Sequence, residues 1–182
     1  MSATEQTEQA IAAGTWKSDP VHSTVGFALK HHVVATFRGK FTDYEATLVG
    51  GDEPKLTGVV KVASVTVEDE NQQAHLLSPD FFDAERHPEF RFESTSIRKD
   101  GESFTADAEL TLKGVTKPVT VTGTILGPVS DSYGGERLGL TLETTIDRTA
   151  FGIDFNAPLP GGGFAISNDV KLIAELELVK EQ

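Results

Sequence analysis

The chain has 182 residues and a formal net charge of −12, from 28 acidic against 16 basic side chains. That length fits one domain with a sizeable core. The absence of cysteine excludes disulfides, a thiol nucleophile and cysteine-ligated zinc or iron–sulfur centres. The acidic excess, with no basic run, disfavours nucleic acid and anionic membranes as general partners, because phosphate binding is built from clustered Lys and Arg. No apolar run approaches the ~20 residues needed to span a bilayer, so no stable membrane anchor is expected.

Residues 1–14 are polar, rich in Thr, Glu, Gln and Ala, and read as a flexible N-terminal segment, leaving 15–182 as the folded domain. No Lys or Arg precedes Lys17, and the only apolar patch there is short. A secretory signal needs a basic start and a longer apolar centre, so the expectation is a cytoplasmic protein. From Trp16 the pattern turns to strand. Val25, Phe27 and Leu29 alternate along 24–30, His31 and His32 follow, and Tyr44, Ala46 and Leu48 share one face of a strand over 39–49. Gly50-Gly51-Asp52-Glu53-Pro54 marks a turn, and 56–67 is a third, β-branched strand.

Residues 68–77 are polar with a helical bias. Ser78-Pro79-Asp80 predicts a helix start, with serine as cap and proline in the first turn. Phe81 and Phe82 then bring two aromatics to a turn beside a strand carrying Phe90 and Phe92, an arrangement that suggests a plug or lid on a sheet. Beyond a turn at 99–102, Phe104, Ala106, Ala108, Leu110 and Leu112 face one way. Val119, Val121 and Ile125 follow, then Leu138, Leu140, Leu142 and Ile146. Residues 151–163 are irregular and rich in Gly and Pro. Val170, Leu172, Ala174, Leu176 and Leu178 form the last apolar face.

About eight one-faced strands with regular turn signals predict an all-β barrel or sandwich. An eight-stranded barrel has room inside for side chains or one slim ligand. The inward faces here are apolar, so the lumen either packs itself shut or holds a lipid. The five histidines (His22, His31, His32, His75 and His87) raise a metal or haem enzyme as a rival reading, but no HxH or HxxxH spacing occurs. His31 and His32, adjacent on a strand, are expected to point to opposite faces and so could not share one ion. There is no GxSxG elbow and no P-loop. The expectation is no enzyme, no catalytic residue, no metal site and no cofactor. A ligand-free barrel acting as a stress or interaction module is the second rival.

The stretch from Trp16 to Phe27, with His31-His32, resembles the opening signature of the YceI-like family of polyisoprenoid-binding, lipocalin-like proteins. His75-Leu76, Asp80-Phe81-Phe82-Asp83, Pro88, Phe90 and Phe92 are similar to its central motif. Residues 110–119, Arg148-Thr149-Ala150-Phe151-Gly152 and Ser167-Asn168-Asp169-Val170 resemble its later blocks. The likeness runs in order over about 15–178. It implies an extended eight-stranded antiparallel barrel with a short helix near one end. It also implies a long-chain lipid in the lumen: a polyisoprenoid, an isoprenoid quinone or a fatty-acid derivative, sequestered or carried without chemistry. The lumen side chains are then Phe27, Phe81, Phe82, Phe90, Phe92, Leu110, Leu140 and Leu172. His22, His31 and Arg148 are the candidates for a head group. A homodimer is compatible with these features. One departure stands out: Gln72-Gln73-Ala74 precedes His75 where the family often has Arg-Asp, which removes a cation suited to a pyrophosphate.

Overall fold

The computed structural model describes residues 10–182. Eleven strand segments are built by the alternating pattern: β1 (Ile11–Ser18), β2 (Thr24–His31), β3 (Ala35–Phe41), β4 (Tyr44–Gly51), β5 (Lys55–Lys61), β6 (Val65–Thr66), β7 (Glu89–Asp100), β8 (Ser103–Leu112), β9 (Val115–Ser130), β10 (Glu136–Asp147) and β11 (Asp169–Lys180). One helix, α1 (Glu70–Leu77), and 3-10 turns at Val62–Ser64 and Arg148–Phe151 complete them.

The ladder runs β1-β4-β5-β7-β8-β9-β10-β11 and closes where β1 pairs with β11, as in Trp16 opposite Lys180. This is a closed eight-stranded antiparallel barrel, as the pattern and the resemblance predict, and closure leaves that ring no free edge. Six segments are three barrel strands broken at one level. β1 becomes β2 across 19–23, β3 becomes β4 across Thr42-Asp43, and β5 becomes β6 across Val62–Ser64. Below the breaks, β1, β4 and β5 complete the ring. Above them, β11 pairs instead with β2, which carries β3 and β6. β6 makes no ladder with β7, and α1 with 78–88 lies between them in the chain. Val62 N–H donates to the Pro88 carbonyl across that gap.

Three expectations need correction. β1 begins at Ile11, 2% exposed and opposite Gly51, so a domain start at 15 falls inside a strand; the rest of the 1–14 expectation concerns residues 1–9, outside the described residues. Ser78 ends the helix and does not start one. Asp69 caps the N-terminus by accepting from the Gln72 N–H, and Ser78 Oγ donates to the His75 carbonyl at 2.6 Å. Proline one residue past the helix end agrees with that order. His32 leaves the strand with φ +49, so its ring stacks on His31 at 3.9 Å instead of pointing to the opposite face.

Inside, the two levels fill differently. The lower level packs Trp16, Leu48, Phe104, Ala106, Leu138, Leu140 and Leu178 into one cluster, each at most 2% exposed. The upper level gathers Phe27, Phe41, Phe81, Phe82, Phe90 and Phe151 with Val62, Leu110, Leu112 and Ile146. Phe27 lies across Gly39, where a Cβ would meet its ring at 2.4 Å, so any other residue there would push the aromatic out of place.

Candidate functional site

A partly open cavity of about 230 Å³ occupies the upper level and reaches down to Ala46, Leu56, Val121, Leu142 and Leu176 of the lower cluster. Its walls include Val25, Phe27 and Leu29 of β2, Phe41 of β3, Val60 of β5, Phe90 and Phe92 of β7, Leu110 and Leu112 of β8, Leu142 and Ile146 of β10, and Val170, Leu172 and Leu176 of β11. Leu76, Phe81 and Phe82 close one side. Val170 to Leu176 spans about 20 Å along the strand, so the space is long and narrow. Aromatic pairs stiffen the lining. Phe82 meets Phe90 edge-on at 5.3 Å and Phe27 at 6.1 Å, and Phe41 meets Phe90 at 5.6 Å. Edge-to-face rings hold one another in fixed orientations.

Two polar side chains interrupt this apolar wall without being satisfied. Arg148 is 4% exposed. Asp147 caps its 3-10 turn by accepting from the Thr149 N–H, and Gly152, at φ +75, ends it. The guanidinium is held by backbone carbonyls: Nε donates to Ser167 at 2.9 Å, and Nη1 to Ile153 at 2.7 Å and Phe155 at 2.9 Å. Nη2 is buried with no partner. Burial pushes the Arg148 guanidinium down from its ordinary value, with Asp147 and Asp154 acting in the opposite sense. A buried N–H without an acceptor costs about 1–3 kcal/mol, and a ligand oxygen would relieve that cost. Tyr44 is the second. The neighbouring Ser23 hydroxyl donates to the Glu177 carbonyl and accepts from its N–H, and the Tyr44 hydroxyl is buried without a partner. Burial raises its pKa.

Seven of the eight expected lumen side chains line the cavity: Phe27, Phe81, Phe82, Phe90, Phe92, Leu110 and Leu172. Leu140 does not. It sits on the same face of β10 as Leu142 and Ile146, one step further down, and is fully buried in the lower cluster with Leu138 and Leu178. Of the three head-group candidates, only Arg148 reaches the cavity. His22 is exposed on the outside, its Nδ1 2.8 Å from Asp19 and 3.1 Å from Glu177. His31 ends β2 against His32 and a bridge to Ile166, and it does not line the space. Tyr44, Ile153 and Ile166 line the cavity and were missed. Tyr44 carried a readable signal, an inward position beside Ala46 and Leu48; the other two lie in the irregular segment after Arg148.

The histidines do not converge. His75 Nε2 is paired with Asp80 at 2.8 Å, His31 stacks on His32, and His22 stands with Asp19 and Glu177. Asp19, His22 and Glu177 are close enough together to hold an ion. That place already has a cation, since Arg137 Nη1 lies 2.8 Å from Asp19 and 3.0 Å from Glu177. His22 foremost, then Arg137, holds the Asp19 carboxyl well below its ordinary value. This network ties the β1–β2 corner to β10 and β11. No helix among the described residues is long and apolar enough to cross a membrane.

Comparison with known proteins agrees with this geometry. A family model described as a YceI-like domain matches residues 16–178. The protein YceI of Escherichia coli is 32% identical over 165 residues, covering 88% of this chain and 83% of that one. A YceI protein of Campylobacter jejuni superposes with a TM-score of 0.69 at 27% identity, over 84% of this chain and 90% of that chain. A polyisoprenoid binding domain from Saccharophagus degradans shares the fold, with a TM-score of 0.68 at 11% identity over 93% of this chain and all of the other.

Proposed function

This chain belongs to the YceI-like family, and we propose that it binds a long-chain apolar lipid in the upper half of its barrel, sequestering or carrying it without chemical change. The observation that carries this reading is the apolar cavity itself, walled by phenylalanine, leucine, valine and isoleucine and left unfilled where most of the lower half of the same barrel is tightly packed. Each buried methylene of a ligand contributes about 0.8 kcal/mol before the entropy of ordering the chain is subtracted. The polyisoprenoid-binding domain that shares the fold supports a polyisoprenoid, isoprenoid quinone or fatty-acid derivative as the ligand class.

Arg148 takes the polar end of the ligand in this reading. Three of its hydrogen bonds go to carbonyls and one nitrogen remains, so the site suits a single acceptor oxygen, such as a quinone or amide carbonyl or one carboxylate. The lining brings no second unpaired cation to balance a pyrophosphate: Arg91, whose backbone reaches the wall, pairs outward with Glu89. Solvent extraction of the purified protein followed by mass spectrometry tests this. One long-chain lipid per barrel is expected. An extract without lipid, together with failure of the stripped protein to take up a long-chain quinone or fatty acid, overturns the proposal. Arg148→Met is expected to weaken uptake of a quinone and leave uptake of a plain long-chain hydrocarbon unchanged.

A further inference from the structure

Two stretches at one end of the barrel depart from the charge of the rest. From 20 to 42 the chain carries Lys30, Arg38 and Lys40 and no Asp or Glu, and from 155 to 168 it has no charged residue, in a protein of net charge −12. The fold brings these two stretches together. His32 N–H donates to the Ala165 carbonyl, Ser167 N–H donates to the Lys30 carbonyl, and His31 bridges Ile166. The second stretch folds back as a tight hairpin of its own, with Pro158 bridging Phe164 and Leu159 N–H donating to Gly163. Two hairpin tips therefore stand side by side, joined through His31, His32, Ala165 and Ile166.

These tips are apolar and uncovered. Val33 is 73% exposed, Val34 86% and Phe164 61%. Behind them, Lys30, Arg38 and Lys40 line the outer face of the β2–β3 hairpin, all exposed, and none is in an ion pair among the described residues; Lys30 Nζ donates only to Thr36. The nearest acids along the second stretch, Asp154 and Asp169, stand at its base. The other exposed apolar group, Leu126, Val129 and Tyr133 at the β9–β10 hairpin, is set among Asp131, Glu136, Glu175 and Glu177. Apolarity alone does not distinguish the two ends; charge does.

We propose that the paired tips at His31–Val34 and Pro158–Phe164 are a docking surface for an anionic lipid bilayer. Val33, Val34 and Phe164 enter the headgroup–acyl boundary, and Lys30 and Arg38 meet lipid phosphates within a screening length of it. The two stretches that form the tips carry no Asp or Glu, which lowers the repulsion expected of a net negative protein, while Asp80 lies behind them, paired with His75, whose ring meets Phe155 at 4.8 Å. Docking brings the cavity to the membrane, since Leu29 and Ile166, both lining residues, adjoin the tip directly. This surface acts peripherally and does not depend on what fills the lumen.

Co-flotation of the full chain with vesicles tests the proposal. Binding is expected to phosphatidylcholine vesicles containing phosphatidylglycerol, weaker binding to phosphatidylcholine alone, and a fall to that weaker level at about 0.5 M salt, where screening shortens to a few ångströms. Val34→Asp with Phe164→Asp is expected to lower partitioning at least about tenfold, because a carboxylate resists entry into the bilayer. Lys30→Glu with Arg38→Glu is expected to remove the preference for anionic vesicles. Unchanged thermal stability and unchanged uptake of a long-chain quinone from detergent in these variants separate docking from lumen binding. No flotation of the parent protein, or equal flotation of the Val34→Asp/Phe164→Asp protein, overturns the assignment. Sedimentation showing a dimer that Val34→Asp dissolves, without vesicle binding, overturns it in favour of a second copy of the chain.

Discussion

The lower and upper halves of this barrel are written in the same alternating code and end in opposite states. Below the strand breaks, Trp16, Leu48, Leu140 and Leu178 pack into a core in which each is at most 1% exposed. Above them, larger phenylalanines line a wall and leave about 230 Å³ open. Side-chain size does not explain the difference, since the open half has the bulkier residues. The backbone does. At the breaks, the wall changes from β1, β4 and β5 to β2, β3 and β6, and the gap between β6 and β7 is covered by a helix and a loop. A ring completed with non-strand structure can be wider than one drawn in by ladder hydrogen bonds alone. The cavity is thus a consequence of topology, and the phenylalanines give it a rigid lining.

Substitutions can break this contrast in order of expected effect. Phe90→Asp places a carboxylate where Phe41 and Phe82 pack edge-on, with no partner to satisfy it. A loss of at least about 4 kcal/mol of stability is expected, with lipid uptake abolished. A folded Phe90→Asp protein with normal uptake would mean that the lumen is misplaced. Next, one chemical change at two levels separates the halves. Leu140→Ala should cost about 3–5 kcal/mol in denaturant unfolding, because the cavity forms in a packed site. Leu172→Ala faces space already open and should cost only about 1–2 kcal/mol, yet weaken lipid binding. Equal costs would contradict the division into packed and open halves.

Acid should act on the surface ties. Asp19 is held low by His22 and Arg137, and Asp107, beside Arg98, Thr120 and Ser96, is lowered to about 2. Carboxyls lowered in the folded state stabilise it above their unfolded pKa, and that contribution disappears as pH falls through the folded value. Unfolding midpoints should therefore decline as pH drops from about 4 toward 2, and Asp107→Asn should flatten part of that slope. His22, raised chiefly by Asp19, works with the opposite sign. Its contribution is complete below about 6.5 and is lost as pH rises through its folded value. His22→Ala should leave the protein insensitive to pH in that upper window. The smallest effect is expected from Lys171→Ala. Its pair with Glu143 at 3.2 Å is half exposed, and a change within about 0.5 kcal/mol, with normal uptake, should follow.

Much of the barrel was legible because one-faced strands have a period of two that hardly any other structure produces; of the seven cavity-lining positions expected from the resemblance, Phe27, Phe90, Phe92, Leu110 and Leu172 lie on such strands, and Phe81 and Phe82 lie in the turn after the helix. The strand break at Thr42-Asp43 left a trace in the pattern, since the inward phase passes from Phe37 and Phe41 to Tyr44, Ala46 and Leu48, a slip of one residue that a continuous strand over 39–49 does not allow. Leu140 and Leu142 share one face of one strand and one packed cluster, and alternation alone could not tell that only Leu142 reaches the cavity. The turn at His32-Val33 was hidden because both residues take positive φ without being glycine. Arg148 was visible as a lone cation ahead of an irregular segment, but its three carbonyl partners come from residues whose backbone path no pattern specifies. His22 was misplaced because an inward or outward assignment fails at a corner.

The most direct test is a crystal structure of the protein saturated with a long-chain isoprenoid quinone. The account predicts one continuous chain within the upper half, bounded by Phe27, Phe82, Phe90 and Leu172, with a carbonyl oxygen within hydrogen-bond distance of Arg148 Nη2. A chain bound on the outer surface, or a cavity closed by repacked phenylalanines with Nη2 still unpaired, would contradict it.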